Sequence, residues 1–237
     1  KGDFNEIKNN LNTCIDAISL MIRDVSTLAQ AGFEGRLNVR ADLSKHQGDF
    51  QTIVRGMNNT LDAVVAPMKI AATYIERISQ GDIPPAIAEE YQGDFNKIKN
   101  NLNACIGAIN LLVADAHKLA EAGVAGQLET RADAAKHQGD YRKIVEGVNH
   151  TLDAIVKPLN EAALVLQAAA RNDLTGRVEG KYQGRLAQLK EHVNQTIGTL
   201  NDALVKVNDA VLHVTSGVEQ IHGASQSLSQ GATEQAS

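Results

Sequence analysis

Counted from a recurring Gly-Asp-aromatic tripeptide, apolar residues fall at the second, fifth, ninth, thirteenth and sixteenth following positions. In one stretch these are Phe50, Ile53, Met57, Leu61 and Val64; in the next they are Phe95, Ile98, Leu102, Ile106 and Ile109. Steps of three and four are helical, and they draw a narrow stripe suited to facing partner helices. The pattern predicts helices that start near each tripeptide and run to Ala31, Ser79, Ala122 and Ala170. Asp3, Asp49, Asp94 and Asp140 suit an N-cap or first-turn site, where a carboxylate meets free N–H groups and the helix dipole. Polar connectors follow at Gly32–Gln47, Gln80–Gln92, Gly123–Gln138 and Arg171–Gln183, and Pro84-Pro85 cannot lie inside a helix. Pro67 and Pro158 sit mid-helix by pattern and are expected to mark where one bundle hands over to the next.

The connectors carry a pattern of their own. Ile83 and Ile87, and Leu174 and Val178, are apolar pairs four residues apart in otherwise polar surroundings. Such pairs suggest an extended segment pinned to a groove between helices. A connector of this length must span the full height of the helices it joins, so those helices are expected to run parallel.

The tripeptide also reveals a duplication. Its copies begin at Gly2, Gly48, Gly93 and Gly139, with Gly184-Arg185-Leu186 a degenerate fifth, and the spacings alternate between 46 and 45. Residues 2–47 match residues 93–138 at 28 of 46 positions, whereas adjacent halves share little beyond the tripeptide. The repeating unit is therefore a pair of unlike halves, A-B-A-B. Ten residues after each glycine stands an asparagine: Asn12, Asn58, Asn103, Asn149 and Asn194. It either caps or bridges to a neighbouring strand of the bundle, or is a solvent-facing residue inherited by duplication.

Composition narrows the function. Hydrophobic residues make up 43% of the 237 and aromatics only 3%, with no Trp, which suits a helical core of Leu, Ile, Val and Ala. A net charge of −5 leaves no basic footprint for nucleic acid. No apolar run approaches the roughly 20 residues of a membrane span. No secretory signal opens the sequence, which begins in the middle of a repeat and reads as a piece of a longer protein. Cys14 and Cys105 hold equivalent positions and are expected to be small buried side chains in a reducing cytoplasm, not a disulfide. The seven His lack metal-ligand spacing, and Lys45-His46-Gln47 and Lys136-His137-Gln138 have no second ligand nearby in sequence. No glycine-rich loop follows a strand. Neither cofactor nor catalysis is expected.

Helix, connector with Gly-x-apolar-x-x-x-apolar, and second helix with apolar-Asn-x-apolar: this succession resembles the HAMP signal-relay family. The resemblance covers nearly the whole chain. It implies an all-α fold of parallel homodimeric four-helix bundles, stacked end to end through continuous helices and running into a coiled coil. The expected division is residues 1–20 as the second helix of a truncated unit, then units at 21–66, 67–111, 112–157 and 158–202, and an output coiled coil at 203–237. Units 67–111 and 158–202 carry the family's usual signature, with junction prolines Pro67 and Pro158 and connector anchors Ile83, Ile87, Leu174 and Val178. Units 21–66 and 112–157 diverge: Met21 and Leu112 replace the proline, and the connectors are one residue longer. Their first anchors are Leu37 and Leu128, and the second anchors, Ala41 and Ala132, are poorer. The family's acidic pair at the start of the second helix is Gly-Asp here, leaving Asp49, Asp94 and Asp140 as switch acids and Arg185 in the last unit.

Past residue 202 the stripe continues through Leu204, Val207, Val211, Val214, Val218, Ile221, Ser225 and Leu228. The closing Ser-, Ala-, Gly- and Gln-rich stretch resembles the start of a methyl-accepting chemoreceptor signalling hairpin. That resemblance implies a candidate methylation pair at Glu234 and Gln235. It also implies partners: a second copy of the chain, a chemotaxis histidine kinase and coupling protein at the hairpin tip, and a methyltransferase and methylesterase on the signalling helices. The expected role is a conformational relay in the cytoplasm, within a receptor either soluble or anchored in the inner membrane. One alternative is an array feeding a sensor histidine kinase or cyclase; His213 and His222 lack the following acid a phosphoacceptor would carry. The other is an inert helical spacer, which leaves the connector anchors and the alternation of two unit types unexplained.

Overall fold

The computed structural model describes residues 2–235, and every regular element among them is helical. Five α-helices follow in order: α1 (Gly2–Phe33), α2 (Gly48–Ser79), α3 (Gly93–Val124), α4 (Gly139–Ala169) and α5 (Gly184–Gln235). Single 3₁₀ turns at Leu43–Lys45 and Ala134–Lys136 interrupt the connectors before α2 and α4.

Backbone chemistry sets both ends of these helices. Gly48, Gly93, Gly139 and Gly184 open theirs with φ of 55–56°, a left-handed conformation that costs glycine nothing. Gln47 and Gln138 hold the N-cap positions in extended conformation without a side-chain cap bond. Asp49, Asp94 and Asp140 therefore lie in the first turn, not at the cap. At the other end, Gly35, Gly81, Gly126 and Asn172 have φ of 65–81°. The following amide in each case reaches back to a helical carbonyl: Arg36 to Ala31, Asp82 to Arg77, Gln127 to Ala122 and Asp173 to Ala168, at 2.8–3.0 Å. This is the Schellman arrangement, and it satisfies carbonyls the helix end would otherwise orphan. It also explains why α1 and α3 outrun their expected ends at Ala31 and Ala122. Gly32 and Gly123 stay helical, and the chain turns only where Gly35 and Gly126 permit a left-handed residue.

Pro67 and Pro158 lie within uninterrupted helices. Each removes one amide donor from the helical ladder without ending the helix.

The chain divides into two compact bodies between Val113 and Ala114, a point within α3. In the first, Leu28, Ala31, Val54, Val65, Ile87 and Ile106 are buried. In the second, Ala162 and Val165 of α4, Val178 of the connector, and Val193 and Ile197 of α5 form one cluster, with Ala169, Leu174, Tyr182 and Leu189 around it. In each body one connector runs back alongside the last third of the helix before it. Asp24 Oδ2 lies 2.7 Å from His46 Nε2, and Asp115 Oδ2 lies 2.7 Å from His137 Nε2, each histidine just before the next helix starts. The two helical stretches joined by each of these connectors thus run parallel.

A methyl group at Gly139 would meet no neighbouring atom. Gly139→Ala should therefore cost only the left-handed backbone strain, about 1–2 kcal/mol, read as a lowered thermal unfolding midpoint. An unchanged midpoint would contradict the positive φ.

Candidate functional site

The second apolar anchor of each connector is held by one asparagine. Asn58 Oδ1 accepts from the Ala41 amide at 3.1 Å while its Nδ2 donates to the Ala41 carbonyl at 2.9 Å. Asn103 does the same for Ile87 at 2.7 and 3.0 Å, Asn149 for Ala132 at 3.1 and 2.8 Å, and Asn194 for Val178 at 2.9 and 3.1 Å. A primary amide offers one acceptor and two donors on one plane, which matches the main-chain groups of a single extended residue. Ile87, Ala132 and Val178 are buried, so their backbone groups must find partners within the protein. Of the two readings open for this asparagine, the bridge is the one the structure contains at Asn58, Asn103, Asn149 and Asn194, while Asn12 is exposed.

An arginine shapes the connector from its own side. Arg40 donates from Nη1 to the carbonyls of Leu37 and Val39 at 2.8 and 2.6 Å, and its Nε and Nη2 reach Asp62 Oδ1 on α2 at 2.9 and 2.7 Å. Arg131 repeats the pattern with Leu128, Thr130 and Asp153 on α4. Arg177 makes the two carbonyl bonds, to Leu174 and Gly176 at 2.7 Å. The connectors before α2 and α4 carry one extra residue. A 3₁₀ turn takes it up, with the Asp42 and Asp133 carboxylates accepting from the amides of Ser44 and Ala135 at 3.0 Å.

Sequence reasoning missed a further group. The side chains of His46 and His137 are only 1% exposed, and each meets a carboxylate of the preceding helix, Asp24 or Asp115. The signal was a polar ring two residues before the glycine in four of the copies: His46, Tyr91, His137 and Tyr182. Near the last of these, Glu161 accepts from the Gly180 amide at 3.1 Å. The Tyr182 hydroxyl is buried without a hydrogen bond of regular geometry. Burial, then the adjacent Glu161 carboxylate, push its pKa up to about 12. The carboxyl of Glu161 is held below its ordinary range, first by Tyr182 and then by the Gly180 amide.

The other sequence-derived residues fall as follows. Ile87 and Val178 are buried, Leu37, Ile83 and Leu174 are half-buried, and Leu128 is exposed. Pro158 is fully buried and Pro67 half-buried. Asp94 and Asp140 are exposed and pair with Lys97 and Lys143 one turn on, at 2.8 Å; Asp49 is exposed too. Surface pairs of this kind contribute little. The side chains of Glu234 and Gln235 lie outside the described residues.

The apolar stripe is only partly covered within the single chain. On α2 the chain itself covers Val54, Asn58 and Val65, and on α4 Val145 and Val156, one flank of the helix. Ile53, Val64, Ile144, Val148 and Ile155, which belong to the stripe, stay 40–50% exposed. Cys14 and Cys105 are likewise exposed and free, against the expectation of burial, because neither lies on the flank that a connector covers. Along α5, Leu204, Val207, Val211, Val214, Val218, Ile221 and Leu228 are exposed without interruption. Among the described residues no helix is long and apolar enough to cross a membrane.

The family model described as HAMP domain matches residues 45–111 and 136–202, more than half of the chain. Over 99 residues the chain is 28% identical to the methyl-accepting chemotaxis protein McpB of Pseudomonas aeruginosa. That match covers 42% of this chain and 15% of the relative, so the chain spans a small part of the relative's length.

Asn103→Ala should strip both partners from the buried main-chain groups of Ile87. The expected cost is about 1–3 kcal/mol, with the Ile87 amide losing its hydrogen-exchange protection while the amides of mid-α3 keep theirs. In an ultraviolet titration, one tyrosine should ionise near pH 12, and Tyr182→Phe should abolish that late step. The raised pKa means the unfolded chain ionises first as pH climbs. The stability this group contributes is thus complete below about pH 10 and is lost as pH rises toward 12.

Proposed function

Since the chain belongs to the HAMP family, we propose that it is a signal-relay segment of a chemoreceptor, built of HAMP units at 21–66, 67–111, 112–157 and 158–202, with the second helix of a truncated unit before them. Residues from 203 onward then form the start of the output coiled coil. The observation that carries this reading is the double use of α2 and α4. One flank holds the connector through the asparagine bridge, and the other presents Ile53, Val64, Ile144, Val148 and Ile155, apolar residues that the chain leaves 40–50% exposed. A second copy of the chain laid parallel supplies the missing face and completes a four-helix bundle, with Cys14 and Cys105 then turned toward the partner. The likeness to a methyl-accepting chemotaxis protein supports the receptor context.

Relay in this reading is a change of helix packing. α2, α3 and α4 each serve as second helix of one unit and first helix of the next, so a shift in one bundle biases its neighbour. Pro67 and Pro158 weaken the helical ladder where units meet. Asp49, Asp94 and Asp140, in the first turn of their helices, bias that packing through the helix dipole. The relay step itself makes and breaks no bond. The output passes through α5 to a signalling tip that engages a chemotaxis histidine kinase and coupling protein. Glu234 and Gln235 are candidates for modification by the methyltransferase and methylesterase of that system.

Cysteine placed at Ile155, on a background with Cys14 and Cys105 replaced by serine, should oxidise to a covalent dimer. In the full-length receptor that bond should hold kinase output at one level under every stimulus. A chain that sediments as a folded monomer, or an output that still responds with the bond closed, would sink the relay reading.

A further inference from the structure

The bridge between the first helical stretch and the root of the second is not the same in the four connectors. Where it is complete, His46 meets Asp24 and His137 meets Asp115 at 2.7 Å, with Asp24 only 23% and Asp115 16% exposed. An ionised carboxylate can only accept, so Nε2 carries the proton in both pairs. Glu161 and Tyr182 stand at the corresponding places of 158–202, with the carboxylate also tied to the Gly180 amide. In 67–111 the corresponding residues are Ile70 and Tyr91, and Ile70 has no acceptor to offer.

The asparagine bridge and the arginine clamp both bind the connector to the second helix or to itself. The histidine–carboxylate pairs instead tie the first helix to the root of the second, as Glu161 does in 158–202 through the Gly180 amide. Moving one helix past the other by a single residue is a slide of about 1.5 Å, enough to break a bond of 2.7 Å. The tie therefore fixes axial register directly, and the burial of both histidine rings leaves each ring nitrogen dependent on its carboxylate.

We propose that this pair of positions sets how readily each unit shifts its first helix against its second. Units 21–66 and 112–157 are locked in register by Asp24–His46 and Asp115–His137, whereas 67–111, lacking a carboxylate at Ile70, yields first. The unit 158–202 is intermediate. The inference rests on the relay reading above and deepens it. The two types of unit alternate as stiff and compliant members, and the divergent connectors are what make the stiff ones.

Hydrogen exchange on the dimeric chain of 237 residues tests this with two opposed substitutions. Asp115→Asn keeps the shape of the side chain but removes the charge, and should speed exchange of the amides at 112–124 by about tenfold, the change expected on weakening one hydrogen bond to a charged group. Ile70→Glu recreates the pairing of 158–202 and should slow exchange at 67–79, with no effect at 112–124. A dimeric Asp115→Asn chain whose 112–124 amides exchange at the wild-type rate would overturn the tie. A wild-type chain that sediments as a monomer would instead count against the bundle reading on which it rests.

Discussion

An extended segment lying against a helix has a backbone problem that a strand in a sheet does not. Its amides and carbonyls face no ladder, yet burying an apolar anchor drags them out of water. Each connector meets this demand with a planar side-chain amide that pairs both polar groups of the anchor residue. An unpaired buried amide or carbonyl costs more than a typical hydrogen bond returns. Anchor burial, connector path and the parallel direction of the helices all depend on that one contact.

The same constraint explains why the buried flank of α2 and of α4 is narrow. There the chain covers chiefly the side on which the asparagine sits, whereas on α3 and α5 the cover reaches the stripe itself at Ile106, Val193 and Ile197. Val54 and Val145 are buried against the chain's own elements while Ile53 and Ile144, one residue away, stay exposed. A helix with one covered and one bare apolar flank is half of an interface. The long exposed stripe of α5 extends the same condition beyond the last connector.

Much of this was legible in the sequence because duplication repeats each signal. Helical spacing, four connectors and their apolar pairs could all be read from residues alone, and so could the poorer anchors Ala41 and Ala132. Three things could not. The exact helix ends at Phe33 and Val124 depended on which of two glycines turned left-handed, and Gly32 and Gly35 look alike in a sequence. The asparagine's role required knowing which connector residue came within reach. The histidine pairs were hidden because their carboxylates lie 22 residues upstream, across the connector, where no spacing rule connects them. Cys14 and Cys105 were misplaced for a related reason: periodicity reports that a position is apolar, not which chain covers it.

The 3₁₀ turns at Leu43–Lys45 and Ala134–Lys136 have a bearing on how such arrays arise. Each takes up a surplus residue between the second anchor and the next helix, closed by its own aspartate, without disturbing the asparagine bridge before it. Connector length is thereby decoupled from helical phase. Modules of unequal length can then share one pattern of anchors and asparagine bridges. A single-residue insertion inside a helix would rotate every following side chain by about 100°; in these connectors one turn closed on its own aspartate absorbs it.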